Sequence, residues 1–370
     1  MVWFEQPVGV GFSFSSNPAD YQNLNDDIAA TDNAAFLSAF FAQFPQYQNN
    51  PLWLTSESYG GNYIPQLSRQ VLQGADARLA AQLSKGGFIV GNPVFSADST
   101  NATFANIMNF VTPSILLGHS LIPARFYETF YQAGCAVLSP PSDPCDALTA
   151  EMFKLAGPCF QSNACSDDLY ESPFGNATLG PDTVTTPDVD ALWSAYLNRA
   201  DVQSAIHAQK PAAPWSDCAN IGYTITWPSN IPDYEAAFAA GLKVLILSGD
   251  VDMLTCPFQS TQYAVDVLER LAGGEVVANW TAWQSLGQPA GYIEKHAQFS
   301  FATVKGAGHE APGYVPVSSF DLVNAFIAGK TDDLLVSGNR AAAAAAPAKL
   351  SQGSIIRAAV AKTRAMQRGA

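Results

Sequence analysis

Charge is scarce in this chain, and histidine is scarcer. Of its 370 residues 14% are charged against 48% hydrophobic, and four are histidines. A disordered chain needs the opposite balance, so a large core can be buried, and the length suits one big α/β domain carrying an insertion. Basic residues are few: 18 Lys and Arg face 32 Asp and Glu, a net charge of -14. Six of the 18 lie in residues 334 to 370, which hold no acid, so residues 1 to 333 carry 12 basic against 32 acidic side chains. Such an acidic body argues against nucleic acid as a partner.

Other absences narrow the choice further. No apolar run reaches the ~18 residues of a membrane span, and no basic stretch followed by an apolar one opens the chain as a signal peptide does. No transmembrane segment is expected. No Cys-x-x-Cys occurs, and His309-Glu310 does not continue to a second histidine, so the common zinc patterns are missing. The strict Gly-x-Ser-x-Gly signature is missing too, and no internal repeat is evident.

Among what is present, six cysteines accompany Asn-x-Ser/Thr triplets at Asn101, Asn176 and Asn279. That combination suits an oxidising compartment where disulfides and glycans form. The opening Val2-Trp3-Phe4-Glu5-Gln6-Pro7 reads as the end of a buried strand. The chain is therefore expected to begin inside a domain, with the first strands of its sheet missing.

Residues 26 to 44 place Ile28, Phe36, Phe40 and Phe44 at helical spacing behind an acidic start, with Pro45 as the stop. Pro51 to Thr55 is a short apolar run ending in Ser56-Glu57-Ser58-Tyr59-Gly60-Gly61, and Tyr63 to Leu72 can form a helix. Strand, tight turn, helix is the pattern. Gly87 to Gly91, Lys243 to Ser248 and Phe299 to Val304 read as further strands, followed by Asn92-Pro93, by Gly249-Asp250-Val251-Asp252 and by Gly306-Ala307-Gly308-His309. Continuous apolar strands separated by helices predict a largely parallel sheet covered on both faces, with functional groups at the carboxyl ends of its strands.

The expected organisation is a core of residues 1–107, an inserted helical cap of 108–235, a second core part of 236–333, and a basic low-complexity tail of 334–370. The cap is marked by Pro-rich, Cys-containing sequence and by helical pieces such as 190 to 208. The tail lacks a core-forming pattern and is expected to be disordered, with a basic amphipathic helix over 354 to 366 as the alternative.

A serine hydroxyl is a poor nucleophile until an imidazole takes its proton, and the imidazole needs a carboxylate to hold its tautomer. On a strand-to-helix elbow the serine tolerates only small residues two places before and after it, and the chain order is Ser, Asp, His. Ser58, between Ser56 and Gly60, meets the size requirement. His119, His207 and His296 lie in helical or mixed contexts, whereas His309 follows a strand and a glycine turn that lets the backbone present the ring. Asp252 follows the most apolar strand; Asp250 is its competitor, better suited to capping the turn. Gly306 to Ala311 also matches a loose dinucleotide fingerprint, but no βαβ unit or ribose-binding acid stands at the required distance.

With those residues in place the chain resembles the serine carboxypeptidase family over roughly residues 2 to 330. Phe4-Glu-Gln-Pro-Val-Gly-Val-Gly-Phe-Ser13, Glu57-Ser-Tyr-Gly-Gly61, Gly249-Asp-Val-Asp252 and Gly306-Ala-Gly-His309 match its motifs in its order. The resemblance implies an α/β-hydrolase fold and removal of single residues from peptide C-termini through an acyl-enzyme on Ser58. It implies Tyr59 N–H as one oxyanion donor, and Glu57 as the acid that holds the substrate carboxylate while protonated, which favours acidic conditions. A carboxyl beside a buried nucleophile can have a raised pKa, and a neutral acid can donate to a carboxylate; pairing with a basic neighbour is the other role open to Glu57. Gly60 and Glu310 join it as substrate-binding candidates. No metal or organic cofactor is needed, peptide or protein C-termini are the expected partners, and the expected location is the secretory pathway, extracellular or vacuolar.

The family's Trp-x-Asn-Gly-Gly-Pro-Gly-Cys segment has no counterpart here. With it would go the second oxyanion donor, an Asn that holds the substrate carboxylate, and the acidic partner of Glu57. One lost oxyanion donor costs about 10²- to 10³-fold in rate. By the same resemblance Cys218 would lose its partner and Cys256 would be a thiol near the site, though a Cys218 to Cys256 bridge stays open. Cys135, Cys145, Cys159 and Cys165 would staple the cap in one of three pairings. The rival functions are an acyltransferase or esterase on the same scaffold, and a catalytically impaired fragment or binding protein.

Overall fold

The computed structural model describes residues 1–95, 104–136, 142–157, 189–208, 214–216, 219–226, 229–253, 255–272 and 276–336. Asn101, Asn176, Cys159, Cys165, Cys218 and the tail from 337 onward lie outside these residues. In chain order the strands are β1 (Leu24–Asn25), β2 (Trp53–Glu57), β3 (Gly87–Gly91), β4 (Tyr223–Thr224), β5 (Lys243–Gly249), β6 (Val276–Ser285), β7 (Gln288–His296) and β8 (Phe299–Val304).

The main sheet has the order β2-β3-β5-β8-β7-β6. Its first four strands are parallel, with Glu57 beside Gly91, Gly91 beside Leu247, and Gly249 beside Val304. Phe88, Ile89 and Val90 of β3, and Val244 through Leu247 of β5, are all buried, as expected of strands covered on both faces. Phe88, Val90, Val244 and Ile246 face a core that includes Leu67, Tyr234 and Leu268; Ile89, Leu245 and Leu247 face another built around Trp283 and Leu322. This is the α/β architecture that the apolar runs predict.

Helix α1 (Asp26–Gln43) starts at Asn25, whose side chain accepts from Ile28 N at 3.0 Å, and ends before Pro45. Helix α2 (Gly60–Gln73) begins directly after the β2 turn, and α3 (Ala77–Lys85) is capped by Asp76. The helix expected over 190 to 208 is two, Val189–Leu197 and Ala200–Ala205. Asn198 breaks it: its amide donates to Trp215 O and accepts from Trp215 N, both at 2.8 Å, tying the gap to a distant segment.

Two further findings depart from expectation. Residues 2 to 7 form no strand, and Trp3 is 80% exposed. An apolar stretch is buried as a strand only where a neighbour pairs with it; here Phe4 packs on Phe36 of α1 instead, ring centroids 4.4 Å apart. The antiparallel pair β6–β7 extends the sheet past the apolar runs, turning at Leu286-Gly287, both at positive φ. Cys135 and Cys145 form a disulfide, one of the pairings left open, with Cα atoms 5.3 Å apart.

Candidate active site

Parallel strands end on one side of a sheet, so the loops after β2, β3, β5 and β8 gather Ser58, Asn92, Asp252 and His309 there. Ser58 has φ 55°, in the left-handed region that non-glycine residues enter only under constraint. Backbone bonds supply the constraint: Ser58 N donates to Gly91 O at 2.9 Å, and Val94 N and Gly61 N donate to Ser58 O at 2.8 and 2.9 Å. Gly60 is buried, and a Cβ there would lie 2.4 Å from the Ser56 Cβ and Oγ, so the elbow needs a glycine at this place.

Asp252 and His309 are 2% and 8% exposed and are joined by a 2.7 Å contact between Asp252 Oδ2 and His309 Nδ1. A carboxylate can only accept, so Nδ1 carries the proton and Nε2 is left as the basic nitrogen. Burying a carboxylate demands donors. Asp252 has them: Asn92 Nδ2 at 2.8 Å and Cys256 N at 3.1 Å to both oxygens. Asn92 is itself fixed, its Oδ1 accepting from Gly249 N at 3.0 Å.

The Asp and His loops are stitched together. Asp250 N donates to Val304 O at 3.1 Å, Val251 N to Ala307 O at 3.0 Å, and Gly306 N to Asp250 Oδ1 at 2.7 Å. Asp250 thus ties the turn before His309 while Asp252 holds the ring; burial is the main cause that raises the Asp250 pKa, partly offset by the Gly306 bond. A Cβ on Gly249 would lie 2.2 Å from Gly308 O, so only glycine lets the loops approach this closely.

The Ser58 hydroxyl makes no hydrogen bond among the described residues, with His309 or any other group. Tyr59 N–H likewise donates to no acceptor among them. Glu57 is half-buried at the end of β2, Glu310 is exposed after His309, and Asn279 is half-buried on β6. Cys256 is 1% exposed, four residues past Asp252. Asn92 escaped sequence reasoning: the only signal was an Asn-Pro step at a strand end, and its link to Asp252 exists because β3 and β5 are neighbours.

A family model described as serine carboxypeptidase matches residues 1–329. The chain belongs to the serine carboxypeptidase family. Curated relatives include serine carboxypeptidase-like 27 of Arabidopsis thaliana, 31% identical over 89% of this chain and 72% of that protein. Serine carboxypeptidase-like 26 of Oryza sativa subsp. japonica is 29% identical over 89% of this chain and 70% of its own. Among solved structures, the prohormone-processing carboxypeptidase Kex1 of Saccharomyces cerevisiae aligns with TM-score 0.61 at 16% identity, covering 89% of this chain and 73% of that one. The fold is that of an α/β-hydrolase, and the family makes the chain a hydrolase of the serine carboxypeptidase type. Among the described residues no helix is long and apolar enough to cross a membrane.

Proposed function

We propose that this chain removes single residues from peptide C-termini, with Ser58 as nucleophile, His309 as base and then acid, and Asp252 as the orienting group. One observation carries the proposal: a buried Asp252–His309 pair stands on the same side of the sheet as a serine at positive φ between strand and helix. Attack by the Ser58 oxygen on the scissile carbonyl would pass its proton to His309 Nε2. The resulting imidazolium is stabilised by Asp252, which cannot swing away because Asn92 and the Cys256 N–H hold it. The Ser58 to His309 hydrogen bond would form with substrate in place, as catalytic bonds commonly tighten in the complex.

Tyr59 N–H, which has no acceptor among the described residues, would face the developing oxyanion. His309 would then protonate the departing amine, and water would attack the acyl-enzyme with His309 again as base. Glu57, adjacent to Ser58, would donate to the substrate carboxylate while protonated, which sets a preference for acid. Gly60 and Glu310 would border the bound C-terminus, residues 108–235 would cap the site, and the protein would work in the secretory pathway, outside the cell or in a vacuole.

The test is release of the terminal residue from an N-blocked dipeptide at pH about 5, with fluorophosphonate labelling of Ser58. Peptide cleavage abolished by Ser58→Ala is the expected result. Acyl transfer to an alcohol without peptide cleavage would replace the peptidase assignment with an acyltransferase, and a folded chain that never labels would replace it with a binding role.

A further inference from the structure

A buried carboxylate that takes no part in the chemistry above stands behind the elbow. Asp26, the first residue of α1, is 0% exposed. Its Oδ1 accepts from the Tyr59 hydroxyl at 2.8 Å and the Tyr223 hydroxyl at 2.9 Å; its Oδ2 accepts from Thr226 N at 2.6 Å and Thr226 Oγ1 at 3.3 Å. The donors come from the elbow, from β4 and from the residues after β4, whose partner β1 pairs Leu24 with Tyr223. Both hydroxyls stay protonated: burial, then Asp26, pushes the Tyr59 pKa well above the ordinary range, and burial, then Tyr63 and Asp26, does the same for Tyr223.

The rings are also locked to one another. Tyr59 meets Tyr63 edge-on at 4.8 Å and Tyr223 at 6.3 Å, and Tyr63 meets Tyr223 at 6.2 Å. The Tyr59 side chain is thus held at its hydroxyl by Asp26 and at its ring by Tyr63 and Tyr223, while its backbone follows Ser58 directly. Asn62, in the first turn of α2, accepts from Asn230 at 2.9 Å, and Asn230 also donates to Gly61 O at 3.0 Å, so the start of the helix is braced from the same direction.

We propose that Asp26 is a positioning residue for the reaction: by anchoring the Tyr59 hydroxyl it fixes where the Tyr59 peptide N–H points, and it makes that direction depend on the segment 223–226. The proposal rests on Ser58 as nucleophile and Tyr59 N–H as oxyanion donor. A merely structural clamp between α1 and 223–226 would survive loss of the Tyr59 hydroxyl, because the Tyr223 and Thr226 bonds remain. Tyr59→Phe therefore separates the two roles.

The experiment measures kcat and KM on an N-blocked dipeptide for wild type, Asp26→Ala, Tyr59→Phe and the double variant, with urea midpoints and the fluorophosphonate labelling rate of each. Small misplacements at a reacting centre cost up to about 100-fold, so the expected result is a kcat loss of about tenfold or more in each single variant, with KM within about twofold. The double variant should be no slower than the worse single. A folded Asp26→Ala with wild-type kcat overturns the proposal, as do losses that multiply in the double. Should Asp26→Ala not fold, Tyr59→Phe decides alone, and wild-type kcat there overturns it. A wild type that neither cleaves nor labels refutes the underlying nucleophile assignment, and the proposal with it.

Discussion

Replacing Asp233 by Asn should change how stability depends on pH more than it changes stability in acid. Asp233 lies in the first turn of the helix Ile231–Ala239, fully buried beside Tyr234. Arg69 of α2 approaches it at 2.7 Å, but neither carboxylate oxygen makes an aligned hydrogen bond within the described structure. Burial outweighs the attraction of Arg69, and Asp27 and Asp26 add to it, so the carboxyl is pushed up from 3.8 to about 6. The fold therefore binds a proton more tightly than the unfolded chain does. That contribution is fully present below pH 3.8 and is lost as pH rises through about 6. At about 1.4 kcal/mol per unit, the loss is on the order of 3 kcal/mol. Asn has the shape of the neutral acid and cannot ionise, while Arg69, 25% exposed, can turn to water. Urea unfolding at pH 4, 5, 6 and 7, followed by tryptophan fluorescence, should show wild type losing on the order of 2 kcal/mol more than the variant across that range. Asp266, raised to about 6 by burial and then Glu269, adds a similar slope to both proteins and drops out of the difference. Parallel curves for wild type and variant would refute the idea that burial controls Asp233.

Removing the Asn92 amide with Asn92→Ala should cost about 1–3 kcal/mol of stability, since it strips a donor from a buried carboxylate, and should lower kcat by an order of magnitude or more; unchanged kinetics would show that Asp252 needs no such hold. Gly249→Ala should separate the Asp and His loops and cost about 1–3 kcal/mol together with most of the activity, which activity assays and thermal melts can check. Cys135→Ala opens a loop of 10 residues and should lower stability by about 3 kcal/mol by loop closure, with reductant lowering the wild-type urea midpoint at least as far as the substitution does.

Much of the fold was legible because burial on both faces writes itself as an apolar run. Gly87–Gly91 and Phe299–Val304 have the bounds that composition predicts. β6 and β7 were not, because Val277, Trp280 and Tyr292 are exposed and the register slips near Ala278, which blurs the alternation an antiparallel pair should show. The candidates Ser58, Asp252 and His309 stood out because each follows a strand within a small-residue turn, and the structure gathers all three at the strand ends. Asn92 and Asp26 did not, since their partners lie 160 and 33 or more residues away and no local pattern marks them. Phe4 shows the reverse error: hydrophobicity alone cannot say whether a segment will find a strand or a helix to lie against.

In the sheet as described, β2 is a border strand, paired only with β3, and its Thr55 and Ser56 are exposed, while β5 and β8, which lead to Asp252 and His309, are each flanked on both sides. Fraying at a margin needs far less free energy than global unfolding. Amide protons of β2 should therefore trade with deuterium well before those of β5. A warmed or mildly denatured sample would lose the geometry of the Ser58 elbow while the acid–imidazole couple was still intact, so, on the proposed mechanism, inactivation would run ahead of the loss of secondary structure.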